Sequence, residues 1–195
     1  MNKGESTRRR IVEKAAPLFN QRGFAGCSMQ DVMESTGLKK GGLYRHFDSK
    51  EDLAAEAFRY SLSQVTKIRL ENLDPSSTAR ERLLTGIRHF VEKPSPVPGG
   101  CPILNTAIDA DDGNPVLREL AREGLAAWRS RIEQVVREGI ASGEISGEVV
   151  PRAVANTIVA TLEGALMISR LEGVRTALED GRASLETLIE RIATK

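Results

Sequence analysis

The chain has 195 residues, of which 40% are hydrophobic and 28% charged, with a formal net charge of +1. That length suits one large domain or two small ones with a sizeable buried core, and that composition excludes the low-hydrophobicity, high-charge signature of disorder. No apolar stretch runs unbroken for the ~18 residues of a membrane span. The opening MNKGESTRRR also lacks the apolar segment of a secretory leader, so a cytoplasmic protein without a membrane partner is expected.

Cys27 and Cys101 stand far apart, with no Cys/His cluster beside either, so neither a disulfide framework nor a metal site is expected. The charge is unevenly spread. Residues 1–50 hold ten Lys/Arg against five Asp/Glu, a net +5, while the other 145 residues carry 18 against 22, a net −4. A basic N-terminal module on a body of opposite sign is the footprint of polyanion binding, and chance on a short segment is the alternative.

In chain order, Ile11, Val12, Ala15, Ala16, Leu18 and Phe19 share one face at helical spacing, and Gly23 stands where that helix should stop. Pro17 falls on its polar side, which predicts a bend rather than a break. Ser28 caps a second, short helix with Asp31 in its first turn, and Thr36-Gly37 turns the chain into a third over residues 38–47. A fourth starts at Ser49 and continues to Leu70. Leu83, Leu84, Ile87, Phe90 and Val91 mark the next helix, which ends before the Pro- and Gly-rich loop 93–100. Residues 101–110 form a short helix. Asn114-Pro115 opens a long amphipathic one that reaches about Gly143. The helix opened by Pro151 is apolar nearly all round, so part of it must face something besides its own core. A last amphipathic helix holds Leu185, Leu188, Ile189 and Ile192, with its preceding break at either Gly173 or Gly181. No alternating strand pattern and no repeat occurs. An all-α chain of about nine helices follows.

Two short helices joined by a Gly-containing turn on a basic segment suit a DNA major groove ~12 Å wide, although such a hairpin also serves as plain architecture. Between these readings the residues decide. Gly37-Leu38-Lys39-Lys40-Gly41-Gly42-Leu43-Tyr44-Arg45-His46-Phe47-Asp48-Ser49-Lys50-Glu51-Asp52-Leu53 closely resembles the recognition region of TetR-type transcriptional regulators. Leu18-Phe19 and Arg22-Gly23-Phe24 fit the same pattern. The match is specific over residues 8–58.

The resemblance implies a helix-turn-helix DNA-binding domain at 1–48 and a helical ligand-binding and dimerisation domain at 49–195. Ser28, at a helix start, is expected to offer hydroxyl and amide donors to a phosphate. Tyr44 and Lys50 match backbone-contacting positions of the family. Lys39 and Lys40 lead the recognition helix toward guanine O6/N7, with solvated lysines as the alternative, and Gly41 and Gly42 let that helix approach the groove floor. Arg45 and His46 are placed with them. Where Gly42 stands, family members often carry a hydroxyl or another small side chain, so a base contact made elsewhere is absent here. Arg8, Arg9 and Arg10 form either a minor-groove arm or a solvated charge run.

For the body, the resemblance implies an effector pocket and a twofold four-helix interface built from the last two helices. The pocket candidates are Phe90, Cys101, Ile103, Leu104 and Ile108 with Leu125, Trp128, Ile132 and Met167, and Asn105 and Arg129 are the orienting polar groups. Plain core packing is the alternative for each. The interface candidates are Ile158, Leu162, Ala165 and Leu166 on one helix and Leu185, Leu188, Ile189 and Ile192 on the other. Cys101 follows Gly99-Gly100 at a helix start, which leaves open a covalent sensor thiol or an inert packed one.

No phosphate loop, no GxSxG and no acid/base pair calls for catalysis, so no catalytic residue, cofactor or metal is expected. The reading is a repressor that binds operator DNA as a homodimer and is released by a small-molecule effector. A cysteine-sensing regulator and an architectural DNA-binding protein are its alternatives.

Overall fold

The structure is a computed structural model and describes residues 3–71, 74–110 and 113–194. Its regular elements are α1 (Lys3–Gly26), α2 (Met29–Thr36), α3 (Lys40–Tyr44), α4 (Lys50–Leu70), α5 (Ala79–Glu92), α6 (Pro102–Ala110), α7 (Pro115–Ala141), α8 (Pro151–Glu172) and α9 (Thr176–Ile192). Among the described residues the β structure amounts to one isolated antiparallel bridge, Ile145 to Ala193. The chain is all-α, with nine helices in the described residues.

Local chemistry explains most helix boundaries. Pro17 is accommodated inside α1, and the helical geometry breaks instead at Gly23, whose φ of 73° is a left-handed conformation that a side chain would strain. Thr78 and Glu81 form a reciprocal capping box at the start of α5. Pro151 occupies the first turn of α8, where its missing N–H costs nothing. The break left open between two glycines falls at Gly173, with φ of 72°. Gly181 lies buried inside α9, where an added Cβ would stand 3.1 Å from the Cβ of Ala165, so its small size lets α8 and α9 approach. The recognition helix is shorter than the 38–47 span predicted. Lys39 is extended at φ −77° and ψ 160°, so α3 holds five residues and is followed by turns through His46.

The chain packs as two compact units, residues 1–66 with 95–124 and residues 67–94 with 125–195. In the first, Ile11, Ala15, Val32, Leu43, Phe47 and Leu53 form a core from α1 to α4, joined by Val97 of the loop before α6. The expected boundary at 48/49 falls inside this unit, because α4 supplies the fully buried Leu53 and Ala57 to the core of the three preceding helices. In the second, Ile87, Phe90, Val136, Ile158, Leu162, Leu185 and Ile189 bring α5, α7, α8 and α9 together. Among the described residues α8 alone has the length and mean hydropathy, 1.2, of a membrane-crossing helix, and its Val154, Ile158 and Leu162 are packed in this core.

Candidate nucleic-acid interface

The geometry of α2 and α3 follows from two local devices. Ser28 Oγ accepts from the Asp31 amide at 3.1 Å, while Asp31 Oδ2 accepts from the Ser28 amide at 2.7 Å. That box fixes the start of α2. At its other end Gly37 takes φ 70°, and its N–H donates to Met33 O at 2.9 Å, closing the helix in a left-handed cap. The turn places α3 directly after it.

Helix α3 has two unlike sides. Leu43 is fully buried, and Phe47 just beyond it is 1% exposed. Lys39, Lys40, Gly41, Tyr44 and Arg45 are exposed, and no side chain would be crowded at Gly41. Gly42 is half-buried against Leu38, 3.6 Å from where a Cβ would lie. Lys40 Nζ stands 5.9 Å from the Tyr44 ring centre. Residues 38–47 contain no acid, and among the described residues neither Lys39 nor Arg45 enters an ion pair. The exposed side of α3 therefore presents cations that no ion pair among the described residues neutralises. A polyanion is their natural counterpart.

Three neighbours are otherwise engaged. The Ser28 amide and hydroxyl both donate to Asp31, the hydroxyl at 2.5 Å, so the donors expected for a phosphate serve the cap. These bonds and the Arg22 guanidinium at 2.8 Å hold the Asp31 carboxyl below its ordinary range. Lys50 Nζ rests 4.3 Å from the centre of the Phe24 ring at the start of α4. His46 is half-buried, and its carbonyl accepts from Arg8.

Arg8 corrects the picture of a basic arm. It belongs to α1, pairs with Glu56, lies 4.1 Å over the Phe47 ring and reaches Asp52 at 3.8 Å. Arg9 pairs with Glu13 at 2.8 Å. The helix starts early enough to turn Arg8 and Arg9 into internal ties, while Arg10 is exposed. A further tie is one that sequence reasoning missed. The Asn105 side-chain amide donates to the carbonyls of Asn20 at 2.9 Å and Gly99 at 2.8 Å, and Asp109 accepts from the Phe24 amide at 2.5 Å. Together they fasten α6 to α1. An added Cβ on Gly23 would stand 2.4 Å from Asp109 Oδ1, so the glycine is required twice over. Between α1, α4 and α6 lies a cavity of about 30 Å³, space for roughly one water.

The effector candidates divide between the units. In the first, Cys101 and Ile103 are buried, Leu104 and Asn105 half-buried, and Ile108 is 70% exposed. In the second, Phe90 is buried, Leu125, Trp128, Arg129 and Ile132 are half-buried, and Met167 is 47% exposed. Phe90, Trp128 and Ile132 share one core cluster. Ile108 and Met167 point to solvent, and the Asn105 amide is spent on the α1 tie. The Arg129 Nε is buried without a hydrogen-bond partner. Cys101 is 2% exposed, and burial pushes the Cys27 thiol up.

Of the interface candidates, Ile158, Leu162, Ala165, Leu185 and Ile189 are buried in the chain's own core, and Leu166, Leu188 and Ile192 pack against it. The apolar residues that α8 leaves exposed are Met167, Ile168 and Leu171, followed by Val174. Periodicity marks an apolar face without saying which neighbour will cover it.

Residues 11–57 match the family described as bacterial regulatory proteins, tetR family, and residues 78–185 match the tetracyclin repressor-like C-terminal domain. Among solved structures, a TetR transcriptional regulator from Chloroflexus aurantiacus J-10-FL is 44% identical with a TM-score of 0.93, covering 99% of this chain and 98% of that one. A TetR-family regulator from Cytophaga hutchinsonii is 34% identical with a TM-score of 0.92, covering 100% and 98%. The HTH-type transcriptional repressor DhaR of Mycobacterium sp. (strain GP1) is 25% identical over 173 residues, 88% of this chain and 86% of its own length.

Proposed function

This chain belongs to the TetR family of transcriptional regulators, and from that premise we propose that it is a cytoplasmic repressor that holds a pseudo-palindromic operator as a homodimer and lets it go when a small apolar or aromatic effector binds. The observation that carries this reading is the exposed side of α3, where Lys39, Lys40, Tyr44 and Arg45 stand together without an acid. Phosphate contacts set the position of such a helix, and base-edge contacts from its first residues set the sequence. One five-residue helix reads few base pairs, and two related by a twofold axis double the readout. The exposed Met167, Ile168, Leu171 and Val174 support pairing through α8, where each partner would bury about 800 Å² in an interface of ordinary size.

No catalytic step, metal or cofactor enters this reading. Selection of bound duplexes from a random pool, followed by sedimentation of the protein on the selected duplex, tests it. Two chains per duplex, on half-sites about 34–36 Å apart, are expected. One chain per duplex, or a pool without enrichment, would contradict it. An effector found by thermal shift should then bind more weakly to the operator complex, by the same coupling of roughly 1–3 kcal/mol with which it weakens DNA binding.

A further inference from the structure

Within the second unit, the last turn of α4 lies against α5. His89 is buried, and its Nδ1–H donates to Arg69 O at 2.9 Å, while Lys93 Nζ donates to Ile68 O at 3.4 Å and pairs with Glu71 at 3.6 Å. These contacts hold the backbone of the turn. The Arg69 side chain does something separate. Its guanidinium carbon lies 4.0 Å from the ring centre of Phe90 and 5.7 Å from that of Trp128. The two rings are nearly parallel, 9° apart, with centres separated by 5.6 Å. If Phe90 were sandwiched between the other two groups, Arg69 and Trp128 would be farther apart than either is from Phe90 by a wide margin. The similar distances exclude that sandwich: the two rings are stacked with a lateral offset, and the guanidinium lies against both, nearer Phe90, so the offset pair serves as its aromatic floor.

A floor of this kind attracts cations through the ring quadrupoles, most strongly where water is excluded. Phe90 is 5% exposed beneath its cover, and Trp128 is only half-buried, so the floor has an outer edge. The cover is a side chain on a flexible stem, and the backbone it springs from is anchored without it. We propose that the Phe90–Trp128 floor is the recognition site of an organic cation, an amidinium, guanidinium or alkylated ammonium, whose place Arg69 fills while the effector is absent. This deepens the effector-responsive reading above and rests on it. It also adds charge to the effector's chemistry, since the charge–quadrupole attraction that holds the guanidinium is open only to a cation. Arg69 belongs to the same helix as Lys50, so exchange at the floor acts on the element that opens at the DNA module. The self-occupied state taxes binding, because the effector must first displace the guanidinium, and removal of that side chain lifts the tax.

Trp128 is the only tryptophan in the chain, so its fluorescence reports this site alone. The full-length protein is titrated with benzamidinium, and in parallel with neutral benzamide, which has the same shape. A saturable change in Trp128 emission is expected with the cation and not with the amide. Arg69→Ala and Arg69→Gln should bind benzamidinium at least tenfold more tightly. Equal responses to cation and amide, no response to either, or variants that bind no more tightly than the parent would overturn the proposal. Should both variants unfold by circular dichroism, the comparison of cation with amide on the parent protein decides by itself. Specific DNA binding, measured without any effector, separates a failure of this inference from a failure of the regulator reading.

Discussion

The cations of α3 and three arginines of the second unit are held in opposite ways. Arg80, Arg82 and Arg182 each face a carboxylate from a distant part of the chain, Glu190, Glu138 and Glu92, whereas Lys39 and Arg45 enter no ion pair among the described residues. A guanidinium paired on the surface adds a few tenths of a kcal/mol and fixes a helix register. A cation left unneutralised contributes nothing to the fold and stays available to a phosphate. The same residue types thus serve packing in one region and recognition in the other, and the presence of an acid tells them apart.

The largest expected effect lies beneath the recognition surface. Phe47→Ala empties a site that is 1% exposed and removes the ring under Arg8, so it should cost about 3–5 kcal/mol and abolish DNA binding through loss of the module. Arg182→Ala, which breaks only the surface pairs with Glu92 and Glu186, should cost under about 1 kcal/mol. Thermal and urea melts of the two variants check this, and equal losses would erase the contrast.

Next in size comes Lys50, half-buried with its ammonium on the Phe24 ring and free to leave that ring for a phosphate. Lys50→Ala should weaken binding to all sequences alike and lower the salt slope by about one unit per protomer. Salt titrations of a selected and a scrambled duplex read both effects. A change confined to one sequence would move Lys50 from backbone contact to base readout.

Gly23→Ala sharpens the comparison from the structural side. The backbone at Gly23, φ 73° and ψ 173°, lies in a region essentially reserved for glycine and costs about 1–3 kcal/mol for a residue with a Cβ, and the collision with Asp109 adds to it. A melting temperature lowered by a few degrees is expected, with partial recovery in Gly23→Ala/Asp109→Ala. An unchanged melt would show that α6 can leave α1 without cost.

The smallest effect concerns the cap of α2. The Asp31 carboxyl is held below its ordinary value by the Ser28 hydroxyl and amide and by Arg22. A depressed carboxyl contributes stability above its unfolded-state value and loses it as pH falls through its folded one. Asp31→Asn should therefore be less stable than the parent at neutral pH, with the gap closing in acid below the usual carboxylate range. Melts across that range test the sign.

The DNA module was legible because its devices are local. A cap at Ser28, a left-handed Gly37 and the word Leu43-Tyr44-Arg45-His46-Phe47 each declare themselves within a few residues. What escaped there were ties across long separations. Arg8 to Glu56 and Asn105 to Asn20 join positions 48 and 85 residues apart, and no spacing rule links them. In the second unit the periodicity of α8 and α9 identified apolar faces correctly as apolar. Choosing which stripe meets the chain's own α5 and α7 and which stays outside needs the packed structure, where Leu162 is buried and Leu171 is 81% exposed. Arg69 drew no notice in the sequence for a similar reason, since its partners Phe90 and Trp128 come from two other helices.

The central claim is that an uncommitted cation at the head of α3 reads bases in each half of a twofold site. Selection from a random duplex pool with the parent protein and with Lys40→Ala tests it most directly. The account predicts a pseudo-palindromic consensus for the parent, with Lys40→Ala losing preference at one base position and at its mirror position, a penalty of about 1–3 kcal/mol for each. A parent consensus without twofold symmetry, or a Lys40→Ala consensus identical to that of the parent, would contradict it.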